Sequence, residues 1–318
     1  MKLTFIFLAS LLLTSSSSLI LEYLIHTRDY PSYFVLFIRG VIGFILCTSL
    51  AYSKGMRAFP EKWNLQRYRL VNSGIILLLL FESYKHLSAT TVSLFQRLDI
   101  PFLIILSAFI RDKKSKVQLV FSIITILSIV YFVSSNLLTE EQETNGTTDY
   151  YGFILAGGSA LLLAFSYVLL KKTSQIDNAF VIANITCIST AIFGLITTIL
   201  NGYNFTININ DIWAFLLVGI ILVASYYYSM ELYKQFHSEL AQLPSVLAVV
   251  LTMAIEMVIK HKWIKTSEIV VIVFLVLLTT VIAININFKK LFQKRNFVNE
   301  KSKLNKTTSK QKVTIYKE

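Results

Sequence analysis

The chain has 318 residues, 55% of them apolar and only 15% charged, with a mean hydropathy of +0.63 and a formal net charge of +12. A soluble core cannot absorb that much apolar surface, and the charges gather in short clusters between apolar blocks of roughly 20 residues, the length that crosses a bilayer core. The composition points to an all-α polytopic membrane protein and excludes a soluble enzyme, a nucleic-acid-binding domain and a disulfide-stapled secreted module.

In chain order the apolar blocks predict ten transmembrane helices, over about 3–25, 32–53, 70–87, 89–110, 117–137, 151–171, 179–200, 212–233, 240–260 and 267–288. The boundary between the third and fourth is the weakest, being marked only by Lys85, His86 and Ser88. The first block, with Lys2 at its start and Ser15 to Ser18 after its apolar run, has the outline of a signal peptide. It is read as a membrane span instead, because it has a counterpart at 152–174 that cannot be a signal. The last thirty residues, 289–318, carry ten Lys/Arg against two acids and read as a disordered, basic cytoplasmic tail attracted to anionic headgroups, not to nucleic acid. Cys47 and Cys187 lie within apolar blocks, where a thiol behaves as a small hydrophobe.

The counterpart of the first block belongs to an internal repeat at an offset of 149 residues. Glu82-Ser83-Tyr84-Lys85 matches Glu231-Leu232-Tyr233-Lys234, Leu94 falls on Leu243, and Arg111, Lys113 and Lys116 fall on Lys260, Lys262 and Lys265. The chain therefore divides into a first five-helix repeat over 1–140 and a second over 151–288, and an odd number of spans per repeat inverts the second half relative to the first. With the N-terminus inside, 23 Lys/Arg fall on inner segments and five on outer ones. Both termini are thus expected in the cytoplasm, with a plasma (inner) membrane location, and the acidic 138–150 loop outside. Two sequons, at Asn145 and Asn204, fall on outer loops.

Two stretches carry a family resemblance. Ser32-Tyr33-Phe34-Val35-Leu36-Phe37-Ile38-Arg39-Gly40 resembles the second-span segment of EamA-type transporters in the drug/metabolite transporter superfamily, and the small-residue run Leu87-Ser88-Ala89-Thr90-Thr91 leading to Arg97, Asp99 and Pro101 resembles the entry into their fourth span. The chain departs from that pattern at Arg111-Asp112 and at Ile259-Lys260-His261, where the family has Gly-Glu, and in the first span, where Ser15 to Ser18 replace Trp-Gly. The resemblance implies a ten-helix inverted repeat and a secondary transporter of amino acids or metabolites; nucleotide-sugar carriers are relatives of the family.

Charges inside the bilayer cost at least ~2.5–3.5 kcal/mol each on insertion scales, so each needs a partner, a cavity or a function. Arg39, Glu82, Arg97, Asp99 and Glu22 are the candidates for substrate binding or coupling, with Glu256 and Asn184 as secondary cavity residues. Because residues two apart point away from each other on a continuous helix, Asp99 is expected to pair with Arg39 and Arg97 with Glu82. Pro101 is expected to kink the fourth span and bare the Arg97 carbonyl. The repeated Glu-x-Tyr-Lys reads as i,i+3 pairs at span ends, His86 and His237 as interfacial, and Tyr226 to Tyr228 as packing. No Ser-His-Asp, metal-ligand, Walker or GxGxxG pattern is present, so neither an enzyme nor a cofactor is expected. The expected activity is alternating-access transport, by export or exchange, of a small polar or amphoteric metabolite such as an amino acid, with substrate and bilayer as partners. The alternatives are a nucleotide-sugar transporter of a secretory membrane and a non-transporting scaffold or receptor.

Overall fold

The computed structural model describes residues 2–111, 119–129, 131, 150–173, 176–235 and 243–260, with seven further positions between 269 and 281. Every regular element among them is helical, as apolar segments in lipid require if their backbone polar groups are to be satisfied. Helix α1 (Lys2–Glu22) runs on into a π-helical turn, Tyr23–Thr27. It is followed by α2 (Ser32–Ser53), α3 (Trp63–Ser83), α4 (Ala89–Gln96), α5 (Asp99–Arg111) and α6 (Leu119–Ile129). After these come α7 (Tyr150–Thr173), α8 (Ala179–Leu200), a 3-10 turn Ile209–Asp211, α9 (Ile212–Gln235) and α10 (Leu243–Lys260).

The ends are set locally. Ser88 caps α4 by accepting from the Thr91 amide, which resolves the ambiguous third boundary, and Asn178 caps α8 by accepting from the Val181 amide. Gly55 and Gly202, at φ +64 and +63, terminate α2 and α8 in the left-handed conformation that costs glycine nothing.

Among the described residues, six segments are long and apolar enough to cross a membrane: Thr4–Thr27, Ser32–Ser53, Ala89–Leu106, Tyr150–Tyr167, Ala179–Leu200 and Ile209–Leu232. Helices α6 and α10 are apolar but shorter. Helix α3 is not among the six, because its first three turns carry Gln66, Arg67, Arg69 and Asn72. It begins seven residues before the expected start at 70, and so draws Arg69, expected on an inner loop, into the helix. Most of the tenth expected span, the 138–149 loop, Lys113 to Lys116, the side chain of Lys234, His237 and the 289–318 tail lie outside the described residues.

Helices α2 and α8 pack antiparallel at their midpoints. A Cβ on Gly40 would stand 2.4 Å from the Ala191 amide nitrogen, and one on Gly194 would stand 2.5 Å from that of Phe37. Around this contact α1 packs on α9 as α7 packs on α3, and α9 packs on α2 as α3 packs on α8. Apolar side chains such as Leu12, Ile45, Ile196, Ile199 and Ile220 point outward, as a lipid-facing surface demands. Gly40→Leu is expected to abolish monodisperse protein in detergent, because the obstructing atoms are backbone and cannot yield; a variant that elutes and melts like the parent would refute this packing.

Candidate functional site

The fourth expected span is two helices, α4 and α5, broken at Arg97 and Leu98. The chain crosses the break on i→i+3 bonds: the amides of Arg97, Leu98 and Ile100 donate to the carbonyls of Leu94, Phe95 and Arg97 at 3.0, 3.0 and 3.4 Å. The break therefore precedes Pro101, which sits harmlessly in the first turn of α5, and the Arg97 carbonyl is not bare.

The break also corrects the expected pairing. Without a continuous helix between them, Arg97 and Asp99 turn toward each other, Nη1 to Oδ2 at 3.9 Å, with Asp99 fully buried and the Tyr167 hydroxyl of α7 facing the same carboxylate. The Arg39–Asp99 and Arg97–Glu82 pairs do not form. Glu82 instead accepts from Lys85 Nζ at 2.8 Å, the i,i+3 pair expected from the sequence, and from the Ser32 hydroxyl of α2. Arg39 lies over the Phe81 ring, 5.1 Å from its centroid, and its buried Nε has no hydrogen-bond partner.

Arg39 and Arg97 both line a cavity of about 220 Å³ between the helices, and so does Arg69, which reaches the Thr186 hydroxyl from α3 at 3.5 Å. Sequence reasoning missed Arg69, although the unbroken helix-forming run from Trp63 to Leu70 is the signal that could have found it. The three arginines are 7%, 3% and 6% exposed in chain order, so their charges are spent on the cavity rather than on bulk water. The remaining polar lining is made of hydroxyls: six serines, including Ser10, Ser73 and Ser225, with Thr14, Thr186, Tyr167 and Tyr226. Tyr226, expected as packing, thus faces the cavity.

Among the described residues no Asp or Glu lines this cavity. Glu22, 5% exposed, closes α1 beside Tyr84. Glu256 of α10 accepts from both the amide and the hydroxyl of Thr90, at 3.1 and 2.5 Å, and so ties α10 to the first turn of α4. Asn184 bridges α8 to the Ala58 carbonyl at 2.9 Å, away from the cavity. Ser15 and Ser18, the departures in the first span, donate to the Ala248 carbonyl and accept from Ser93 at 3.0 Å each, so they join helices. His86 stands edge-on to Tyr151.

Both ends of the bundle are tied across its two halves. At the end expected outside, Asp211 accepts from Arg28 Nε at 2.7 Å and from the Tyr23 and Tyr30 hydroxyls at 3.2 and 3.0 Å, and this contact holds the Arg28 guanidinium above its ordinary range. At the other end, Gln66 Nε2 donates to Asp177 Oδ2 at 2.5 Å and Asn178 Nδ2 to the Arg57 carbonyl at 3.1 Å.

Residues 2–135 match the EamA-like transporter family. A solved crystal structure is similar over 89% of this chain and 96% of its own, with a TM-score of 0.64 at 17% identity, a likeness of fold alone. No curated protein matches the chain.

Proposed function

Because the N-terminal part of this membrane protein, residues 2–135, belongs to the EamA-like transporter family of the drug/metabolite transporter superfamily, we propose that the chain is a secondary-active carrier of a small organic solute. The solute site is the arginine-lined cavity, and access alternates by rocking of two inverted five-helix halves, 1–140 and 151–288. One observation carries this reading: the cavity is lined by equivalent positions of the two halves. Thr14 and Leu163, Ser73 and Leu222, Ile76 and Ser225, and Leu77 and Tyr226 all line it, and each pair is separated by the repeat offset of 149 residues. The mirrored packing of α1 on α9 and α7 on α3, together with the antiparallel α2 and α8, supports the same axis. A volume of about 220 Å³ lies below the ~300–1,000 Å³ of pockets for drug-sized ligands, which disfavours a nucleotide sugar.

In this reading the Asp211 cluster is the closed outer gate. Asp211→Asn weakens the tie to Arg28 without adding bulk, so the outward-open population should rise several-fold. In proteoliposomes of the full chain, Ser73→Cys is then labelled faster by an impermeant thiol reagent from outside when combined with Asp211→Asn, and counterflow of labelled metabolites is saturable in the parent. Unchanged labelling, together with no flux for any solute in a broad metabolite panel, would favour the scaffold reading.

A further inference from the structure

We infer that the cavity takes a small organic anion, a compound whose carboxylate or phosphate groups meet Arg39, Arg69 and Arg97 while its carbon skeleton lies on the apolar wall. This identifies the substrate class of the proposed transport site and rests on that reading.

Three guanidiniums converge here from α2, α3 and the α4–α5 break, and no carboxylate stands among the lining residues that are described. Like charges held in one low-dielectric space repel, and each is costly at that depth, so an anion in the cavity stabilises an arrangement of this kind. Asp99, behind the lining at 3.9 Å from Arg97, offsets part of the positive charge.

One buried donor points to a missing acceptor. Arg39 Nε has no hydrogen-bond partner, and its side chain is more than nine-tenths buried. Guanidinium forks are matched geometrically to the paired oxygens of carboxylates and phosphates. The serine and threonine hydroxyls supply neutral donors that add no charge. Ile76, Leu77, Leu163, Leu222 and Met230 form the apolar part of the wall, which suits a carbon skeleton better than a bare inorganic ion. The expected amphoteric substrate fits less well, since an ammonium group would find no carboxylate among the described residues of the lining.

The test is thermal stabilisation of the full chain in phosphatidylcholine nanodiscs by succinate, glycerol phosphate, inorganic phosphate, alanine and putrescine. Ligand binding to the folded state raises the melting midpoint with concentration. Succinate or glycerol phosphate is expected to stabilise the parent, with apparent affinity falling at least ~10-fold in Arg39→Gln and by less in Arg39→Lys, which keeps the charge but loses the fork. Preference between succinate and glycerol phosphate distinguishes carboxylate from phosphate chemistry. The inference is overturned if alanine or putrescine stabilises better than either dianion, if inorganic phosphate matches both, if Arg39→Gln and Arg69→Gln respond like the parent, or if only nanodiscs containing phosphatidylglycerol stabilise the protein, which would assign the arginines to a lipid headgroup. Anion binding without flux in proteoliposomes would retire the transport reading and leave the anion site standing, whereas alanine flux without anion binding would do the reverse.

Discussion

Arg97→Ala is expected to lose most of its folded yield. Asp99 is fully buried, and the Arg97 guanidinium at 3.9 Å is the counter-charge facing it. Breaking a buried ion pair from one side typically costs about 3–5 kcal/mol, because the surviving charge is left desolvated and uncompensated. That is a large fraction of the stability of an ordinary domain. The double variant Arg97→Ala with Asp99→Asn removes both charges and should recover much of the loss. The melting midpoint of the purified variants in detergent, read beside monodisperse yield, measures this. If the two single effects simply add, the residues are not coupled and the 3.9 Å approach carries no stability. If Arg97→Ala melts like the parent and loses only anion binding, Arg97 serves the cavity alone.

Arg39→Gln should behave in the opposite way. Its guanidinium is 7% exposed, and among the described residues it meets an aromatic ring but no carboxylate. Removing the charge forfeits a cation–π contact worth ~0.5–2 kcal/mol, but relieves an intramembrane charge that costs at least ~2.5–3.5 kcal/mol on insertion scales. The second term is the larger, so the melting midpoint should hold or rise while flux falls by roughly 100-fold, as expected when a group is kept for function at the expense of stability. A fall in midpoint comparable to that of Arg97→Ala would make Arg39 a structural residue.

Much of the architecture was legible in the sequence, because apolar length is the dominant constraint in a bilayer. The ranges 32–53 and 179–200 coincide with α2 and α8 residue for residue. What escaped depends on local backbone geometry. The rule that residues two apart diverge presupposes a continuous helix, and the interruption at Arg97 and Leu98 removes that premise. Pro101 drew attention two residues too far along, since proline marks where a helix can begin as readily as where it bends. Arg69 was hidden because a hydropathy boundary reports where apolar residues start, whereas helix α3 starts where the backbone does, at Trp63. Arg39 and Arg97, expected as candidates from depth alone, both line the cavity. That Glu82, Asp99, Glu22 and Glu256 stand off the lining depends on side-chain direction across tertiary contacts, which no single-sequence pattern encodes.

In the proposed rocking motion the approach of α2 to α8 is the fulcrum. Points on a rotation axis do not separate when two bodies turn about it, so the backbone contact of Gly40 with Ala191 survives a rocking motion intact, and a spacer side chain there would have to be compressed on every stroke. Displacement grows with distance from the pivot instead. A helix of 22 residues is roughly 33 Å long, so each end lies about 16 Å from the middle, and a turn of roughly 10° moves it by about 3 Å. That stroke is enough to part Arg28 from Asp211 at one end, or Gln66 from Asp177 at the other. In that motion a lever of this length converts a small rotation at its centre into a large displacement at its tips, where the polar contacts lie.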